Sequence, residues 1–526
     1  MSNQTQKFVK GAFILSIAGL VAKILSAFFR VPLTALIGDT GLGYYGLAYP
    51  IYTLFSAIAI VGIPSTIAKL VAEKKVQGRD AEAHQIFTHT FKLMLIVGGV
   101  MSAVVILGAP FLVRALNWEE EAIYSLWGLG LSPLFVCIMG VYRGYFQGMQ
   151  DMLPTAISQV VENAGRFVAG LALAMVFMPD VAKAAGGATF GSVVGGLTAS
   201  LALTYMYLKR RKDIMIDVEK TKDLSQELSF KETAKTVLWI AIPISIGGAV
   251  NSIMTMIDSG LVVMRLRAAG VSPVVATGLY GQLTKVATFI NFPLAFGMAL
   301  IIGLVPSISE AMARNDKKEL HDKIELGTRF ALLISLPASV GLAVLANPIM
   351  AFIYPSYPEG GDILTVAAFS IIFIMLGQAL TGILQGMGKV WAPIKAIIVA
   401  SIVKVIANYL LIVTPLGAVG AALGSILGYA TFTAINYYVV RKETGFRLNL
   451  SFVVIKPLIA SIVMGASAYG TSKLFVNMLD MTSKLNNAIM TLGSVLVGAI
   501  VYVAVLVISG GISKEDINHI RKPKAN

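Results

Sequence analysis

Positively charged side chains inside apolar segments are the groups in this sequence best suited to bind a substrate. Lys23 and Arg30 lie in one such segment, and Lys285 lies in another. Neither segment contains an acidic residue. Lys23 and Arg30 are seven residues apart, so on a helix they share one face at a separation of about 10 Å. Charges at such positions are costly and often mark function, and surplus cations suit an anionic substrate that carries phosphate groups.

Other charges in apolar segments have structural or gating interpretations. Glu162 and Arg166 have the i, i+4 spacing of an intrahelical ion pair, which favours a structural role. Lys404 occupies roughly the equivalent place in the second half of the chain. Asp258 could pair with Arg265, either as part of an outer gate or simply as a pair at a helix end.

Composition identifies the medium that surrounds these groups. The chain has 526 residues, of which 56% are hydrophobic and 13% charged, whereas soluble domains carry roughly 25% charged residues. One or two cores could not bury so much apolar surface in water. The composition therefore excludes a soluble enzyme, a disulfide scaffold and a disordered protein, and it predicts an all-α polytopic membrane protein.

Motifs for bound metals and cofactors are missing from the sequence. It has one cysteine, Cys137, and its four histidines stand near charged residues, at the start of one apolar segment or outside the apolar segments. We find no nucleotide-binding glycine loop and no metalloprotease motif. We therefore expect no metal, no cofactor and no enzymatic activity, and we expect transport to depend on an ion gradient or the membrane potential rather than on ATP bound to this chain.

The apolar segments predict about fourteen transmembrane helices, because each is long enough to cross a bilayer. Their approximate bounds are 8–37, 43–72, 84–113, 120–146, 154–178, 185–208, 236–262, 275–309, 324–350, 362–386, 392–413, 418–440, 451–475 and 485–508. Lysine and arginine cluster in alternate loops and both tails, which places both termini in the cytoplasm. This distribution explains most of the +14 net charge, so the charge does not indicate nucleic-acid binding.

Three motifs recur in order and at nearly constant separation. The Gly-x-x-Gln-Gly-Met sequence at 144–149 returns at 382–387, a glycine-rich row at 187–195 returns at 420–428, and Pro64-Ser65 returns as Pro306-Ser307. The glycine rows are typical of close helix packing. An even number of spans per copy predicts two parallel six-helix repeats facing a central site. The expected domains are an N-terminal lobe (1–230), a C-terminal lobe (231–445) and two added helices with a tail (446–526).

Several motifs together resemble a known family of flippases. They are Phe8-Val-Lys-Gly-Ala-Phe-Ile-Leu, Arg30-Val-Pro-Leu-Thr-Ala-Leu-Ile-Gly38, Gly41-Leu-Gly-Tyr-Tyr-Gly-Leu-Ala-Tyr49, Gly62-Ile-Pro-Ser-Thr-Ile-Ala-Lys-Leu-Val-Ala-Glu73 and Arg143-Gly-Tyr-Phe-Gln-Gly-Met-Gln150. The chain resembles polysaccharide biosynthesis flippases of the stage V sporulation protein B type. These are grouped with MurJ-type lipid II flippases in the multidrug/oligosaccharidyl-lipid/polysaccharide (MOP) exporter superfamily.

The resemblance implies a V-shaped, two-lobed, alternating-access carrier in the bacterial cell membrane. It implies export of an undecaprenyl-diphosphate-linked sugar, in the first place lipid II for peptidoglycan synthesis. Lys23 and Arg30 match the cationic pair on the family's first helix, and Lys285 lies about one turn from the expected cation on the eighth. The second helix departs from the family pattern, with Tyr44 and Tyr45 near its start and no arginine. The two added helices would border a groove for the isoprenoid tail.

Other functions remain open on the sequence alone. The substrate could be another undecaprenyl-linked glycan, such as a teichoic acid, capsule or spore cortex precursor. A multidrug/cation antiporter of the same superfamily is disfavoured by bare cations and by fourteen rather than twelve spans. A membrane scaffold without a transport cycle is disfavoured by the duplication and the intramembrane charges. The expected partners are the lipid-linked glycan, membrane lipids and the cell-wall synthesis machinery, and we expect a monomer.

Overall fold

The computed structural model describes residues 3–57, 62–480 and 483–511, although the side chains of some positions inside helices, including Lys23, lie outside the description. Helices make up nearly all of this part of the chain, and no strand occurs in it. Helix-to-helix contacts divide the chain into two compact units. The first comprises Met1–Met264 and Ser272–Gly281, and the second comprises Arg265–Val271 and Gln282–Asn526.

The first unit is built from eight helices and most of a ninth, whose last residues belong to the second unit. They are α1 (Asn3–Ala57), α2 (Ile63–Val76), α3 (Asp80–Ala115), α4 (Ala122–Leu129), α5 (Ser132–Gly148), α6 (Leu153–Phe177), α7 (Val181–Lys220), α8 (Phe230–Gly248) and α9 (Val250–Ala268). Local sequence explains several helix starts. Pro154 lies in the first turn of α6, where its missing N–H costs nothing, and the Asp180 carboxylate accepts the Lys183 N–H at the start of α7.

The second unit contains most of α10 (Pro273–Ala313) and eight further helices. They are α11 (Lys317–Val344), α12 (Ala346–Ile353), α13 (Gly361–Ala367), α14 (Ser370–Gly386), α15 (Trp391–Leu411), α16 (Ala418–Thr444), α17 (Lys456–Met478) and α18 (Lys484–Ile508). A π-helical turn, Leu450–Ile455, leads into α17. Buried aliphatic side chains of α10, α11, α14 and α16 form one core of this unit.

Small residues let α7 pack closely on α6. A Cβ atom added to Gly195 would lie 2.3 Å from the Glu162 carbonyl oxygen, and one added to Gly191 would lie 2.6 Å from the Gly170 Cα. The second unit repeats this arrangement, because a Cβ at Gly428 of α16 would lie 3.0 Å from the Lys404 Cβ of α15. The glycine rows found in the sequence therefore serve close helix packing.

Eleven of the helical segments in the described residues are long and apolar enough to cross a membrane. The prediction of an all-α polytopic membrane protein is confirmed, and its count of fourteen is compatible with the structure. The first predicted span and the start of the second are merged in α1, which is interrupted at Gly38 (φ 67°, ψ −172°). A positive φ is readily adopted by glycine, so the gap between the predicted spans 8–37 and 43–72 is a kink at one residue. The predicted spans 236–262 and 275–309 correspond to α8 with α9 and to α10, in which the side chains of some positions lie outside the description.

Candidate functional site

A buried cluster of charges connects α5 and α6 in the first unit. The Arg143 guanidinium donates from Nη2 to Glu162 Oε2 at 2.9 Å and from Nε to Ser158 Oγ at 2.8 Å. Arg166 lies one turn beyond Glu162, with Nη2 3.7 Å from Oε1. All three charged side chains are at least nine-tenths buried. The predicted pair of Glu162 and Arg166 is thus within ion-pair distance, and Arg143 makes a second, shorter pair with the same carboxylate.

Tyrosines of α1 complete this cluster. The Tyr52 hydroxyl donates to Glu162 Oε1 at 2.9 Å, and Arg166 Nη1 donates to the Tyr49 hydroxyl at 2.7 Å. The Tyr49 ring stacks on Tyr45 with centroids 5.1 Å apart and an interplanar angle of 22°. Successive turns of α1 therefore present aromatic rings to the charges of α6, because 45, 49 and 52 recur at the spacing of one helix face.

Arg30, one of the residues singled out in the sequence, reaches the same cluster. Its Cζ lies 5.5 Å from the centroid of the Tyr49 ring, within the range of a cation–π contact. Tyr49 is thus held at its hydroxyl by Arg166 and faces Arg30 with its ring. Lys23 stands one heptad earlier on α1, and its side chain lies outside the described residues.

The charge of this group is predominantly positive. Among Arg30, Arg143, Arg166 and Glu162, three guanidinium groups accompany one carboxylate. Glu162 already accepts hydrogen bonds from Arg143 and Tyr52. Such a set of side chains attracts an anion more readily than a cation, and guanidinium groups can bind phosphate oxygens in a bidentate manner.

Asp258 and Arg265, the predicted gate residues, belong to different compact units. In the first unit, buried Tyr280 is within electrostatic range of both Asp258 and Arg30. In the second unit, Arg265 Nε donates to the Tyr409 carbonyl oxygen at 3.1 Å, and its Cζ lies 3.7 Å from the Tyr409 ring centroid. A gating role for these two residues stays a prediction.

Lys285 and Lys404 are both buried in the second unit. The Lys285 Nζ donates to the Tyr357 carbonyl oxygen at 2.8 Å and lies 5.6 Å from the Tyr354 ring. Lys404 packs against Gly428 as Arg166 packs against Gly195 in the first unit, so the two cations occupy corresponding places in their helix pairs. Substrate binding by Lys285 stays a prediction, as does any structural or gating role of Lys404.

Arg143 and Arg329 are buried arginines that the sequence analysis did not propose as functional residues. Arg143 stood inside a motif used only for the family resemblance. Arg329 is in α11, where Nη2 donates to the Gly511 carbonyl oxygen at 2.7 Å and Cζ lies 4.1 Å from the Phe452 ring centroid. Both arginines lie within segments predicted to span the membrane. Because a charge inside a membrane is costly and often marks function, their positions alone could have identified them as candidates.

An apolar groove of about 320 Å³ lies among α11, α12, α17 and α18. Its lining includes Leu342, Ile349, Met464, Val495 and Tyr502. The two C-terminal helices therefore form a hydrocarbon-lined surface with α11 and α12. The described residues contain no group of three or more histidine, cysteine, aspartate or glutamate side chains that could hold a metal ion.

Solved structures share this fold. The chain aligns with the lipid II flippase MurJ in an inward closed conformation with a TM-score of 0.70 and 17% identity, covering 94% of this chain and 98% of that one. It also aligns with an inward-facing multidrug resistance MATE family transporter of the MOP superfamily, with a TM-score of 0.69 and 17% identity over 80% of this chain and 94% of that one. The fold is that of a multi-pass MOP-type membrane protein.

Family comparison then places the sequence within this class. Residues 8–310 match the polysaccharide biosynthesis protein family, to which the chain belongs, and residues 243–410 match the MatE family. Stage V sporulation protein B of Bacillus subtilis (strain 168) is 28% identical over 527 residues, covering 98% of both chains. Lipid II flippase MurJ of the same organism is 26% identical over 478 residues, covering 88% of this chain and 87% of its own. The resemblance inferred from the sequence motifs is confirmed, and one of these two relatives is named as a flippase.

Proposed function

We propose that this protein is a flippase that moves an undecaprenyl-diphosphate-linked sugar, lipid II, from the cytoplasmic to the outer leaflet by alternating access. The observation that carries the proposal is the surplus of positive charge around Tyr49. Arg30 faces the ring of this tyrosine, and Arg166 donates a hydrogen bond to its hydroxyl. A diphosphate supplies the negative charge that such a surplus favours, and a partly dry environment strengthens the attraction.

In this proposal Arg30 and Lys23 bind the diphosphate, and Lys285 contributes a further cation. Arg30 is the member of this trio whose guanidinium lies at the aromatic face of the cluster and remains partly exposed. Arg166 and Glu162 would act indirectly, by holding Tyr49 where it supports Arg30. Replacing Arg30 with lysine would retain the charge and lose bidentate contacts, so we expect partial activity from that variant.

The remaining parts of the substrate suit other features of the chain. The groove beside α17 and α18 has the apolar lining that an isoprenoid tail requires.

The basic loops and tails support an orientation with both termini in the cytoplasm. The division into lobes 1–230 and 231–445 with an added region 446–526 is part of the same proposal. We also propose that the carrier works as a monomer, near the cell-wall synthesis machinery.

The proposal is tested by complementation in a bacterium whose own lipid II flippase can be depleted. We expect the wild-type protein to restore growth and the exposure of lipid II at the outer surface. The Arg30→Glu variant should reach the membrane in normal amount and restore neither. Lys318→Glu, a charge reversal at an exposed position at the start of α11, serves as the matched control and should behave as wild type.

Two results would contradict the assignment. If the wild-type protein reaches the membrane without restoring lipid II exposure, lipid II is not its substrate, and another undecaprenyl-linked glycan becomes the leading candidate. If Arg30→Glu and Lys23→Glu restore exposure fully, these cations do not bind the diphosphate.

A further inference from the structure

A second cavity, of about 420 Å³, lies in the first unit among α4, α6 and α7. Four aromatic rings line it, those of Tyr124, Trp127, Phe177 and Phe190. Each of these side chains is also partly exposed at the protein surface. The cavity is distinct from the charge cluster around Glu162, with which it shares no lining residue.

Glycines create this cavity by letting the helices approach one another. A Cβ at Gly128 of α4 would lie 2.3 Å from the Gly186 carbonyl oxygen, and one at Gly187 would lie 3.0 Å from the Leu173 backbone and from the Phe177 ring. The backbone of α7 is therefore close to α4 and to α6 beside the cavity, and the lining combines these glycines with four large rings. This combination gives an apolar recess, which is the usual form of a site for a small ligand.

The rim of the cavity carries one positive and one negative group. Lys183 Nζ is 2.9 Å from Asp180 Oδ2, and their side chains are 48% and 44% exposed. The same Nζ lies 6.0 Å from the Tyr124 ring centroid. Because an exposed ion pair contributes little stability, both groups can exchange their contact for one with a charged ligand.

The location of the cavity indicates the phase from which a ligand would enter. Two candidate membrane spans meet here, since α6 ends at Phe177 and α7 begins at Val181. The ends of spans lie near the boundary between hydrocarbon and water, where tryptophan and tyrosine rings concentrate. A ligand at this position would have its apolar part in the recess and its polar part at the ion pair.

We propose that this cavity binds a phospholipid whose head group carries both a phosphate and a primary ammonium, as in phosphatidylethanolamine. One acyl chain enters the recess between Phe177 and Phe190. The phosphate accepts hydrogen bonds from Lys183, and the ammonium donates to Asp180. Charge complementarity selects this head group. The Asp180 carboxylate repels a head group that carries only negative charge, such as that of phosphatidylglycerol. The quaternary ammonium of phosphatidylcholine has no N–H to donate to Asp180.

Native mass spectrometry of the full-length protein in detergent tests this site, with phosphatidylethanolamine, phosphatidylglycerol and phosphatidylcholine of matched chains as probes. We expect one tightly bound phosphatidylethanolamine, preferred roughly two- to fivefold over the other lipids, as the loss of one exposed ionic contact implies. Asp180→Asn should remove the preference over phosphatidylglycerol. Lys183→Gln should weaken binding of all three lipids, because each of them carries a phosphate.

A variant that fills the recess gives an independent test. Leu173→Trp should abolish tight binding of phosphatidylethanolamine, whereas Leu201→Trp, on an exposed part of α7 outside the recess, should bind as wild type. Thermal unfolding without added lipid verifies that each variant is folded. Equal binding of all three lipids by the wild type would overturn the head-group assignment, and undiminished binding by folded Leu173→Trp would overturn the site itself.

Discussion

Replacing Glu162 with glutamine should destabilise the protein strongly. The side chain keeps its shape and loses its charge, while Arg143 and Arg166 stay charged and buried beside it. Removing one partner from a buried ion pair costs about 3–5 kcal/mol, because the remaining charge loses its compensation. The Tyr52 hydroxyl, which donates to Glu162 at 2.9 Å, loses a charged acceptor as well. Denaturant unfolding in detergent micelles, followed by circular dichroism, measures the change.

An exposed pair provides the control for this measurement. Glu310 and Arg314 form an i, i+4 pair at 2.6 Å with side chains more than half exposed. Glu310→Gln should therefore change the free energy of unfolding by only about 0.3–0.5 kcal/mol. The double variant Glu162→Gln with Arg143→Met should recover part of the lost free energy of unfolding, because it removes one of the two buried positive charges. A change below about 0.5 kcal/mol for Glu162→Gln itself would refute the view that this carboxylate compensates both arginines.

Three further predictions concern helix packing, the segment between α7 and α8, and topology. Gly195→Ala should lower the free energy of unfolding by about 1–3 kcal/mol, because the added Cβ would collide with the backbone of α6. Gly108→Ala is the control and should cause no loss, because the space around Gly108 is open. Equal effects of the two substitutions would contradict the close packing of α6 and α7. Glu82→Gln should speed tryptic cleavage in the segment between α7 and α8. The reason is that the Glu82 carboxylate accepts the Gln226 N–H at 3.1 Å and pairs with Lys74 at 2.5 Å. An unchanged digestion rate would show that these contacts do not restrain the segment. A cysteine introduced at Ile216 in a chain lacking Cys137 should react only with reagents that reach the cytoplasm, and labelling from outside would reverse the proposed orientation.

Most of the fold was accessible from the sequence because it depends on hydrophobicity and length. Apolar segments of about 20 residues must become helices in a bilayer, since no water is present to satisfy the backbone. The kink at Gly38 was harder to predict. The apolar segments leave a gap between the predicted spans 8–37 and 43–72, while the structure continues the helix on both sides of Gly38.

The site was only partly predictable, because helical spacing relates residues on one helix and says little about its neighbours. The spacing of Glu162 and Arg166 was sufficient to predict their pairing. Arg143 donates to the same carboxylate from α5, and Tyr49 of α1 accepts a hydrogen bond from Arg166. Those approaches depend on how α1, α5 and α6 pack, which no local pattern specifies.

Reconstitution into liposomes tests the central claim most directly. The substrate is lipid II with a fluorophore on its peptide, and dithionite added outside quenches only the molecules in the outer leaflet. With an ion gradient or membrane potential and no ATP, the wild-type protein should make nearly all of the fluorophore accessible, while Arg30→Glu should leave the inner-leaflet fraction protected, as in protein-free liposomes. Protection of that fraction by correctly folded wild-type protein, under every gradient applied, would contradict the account.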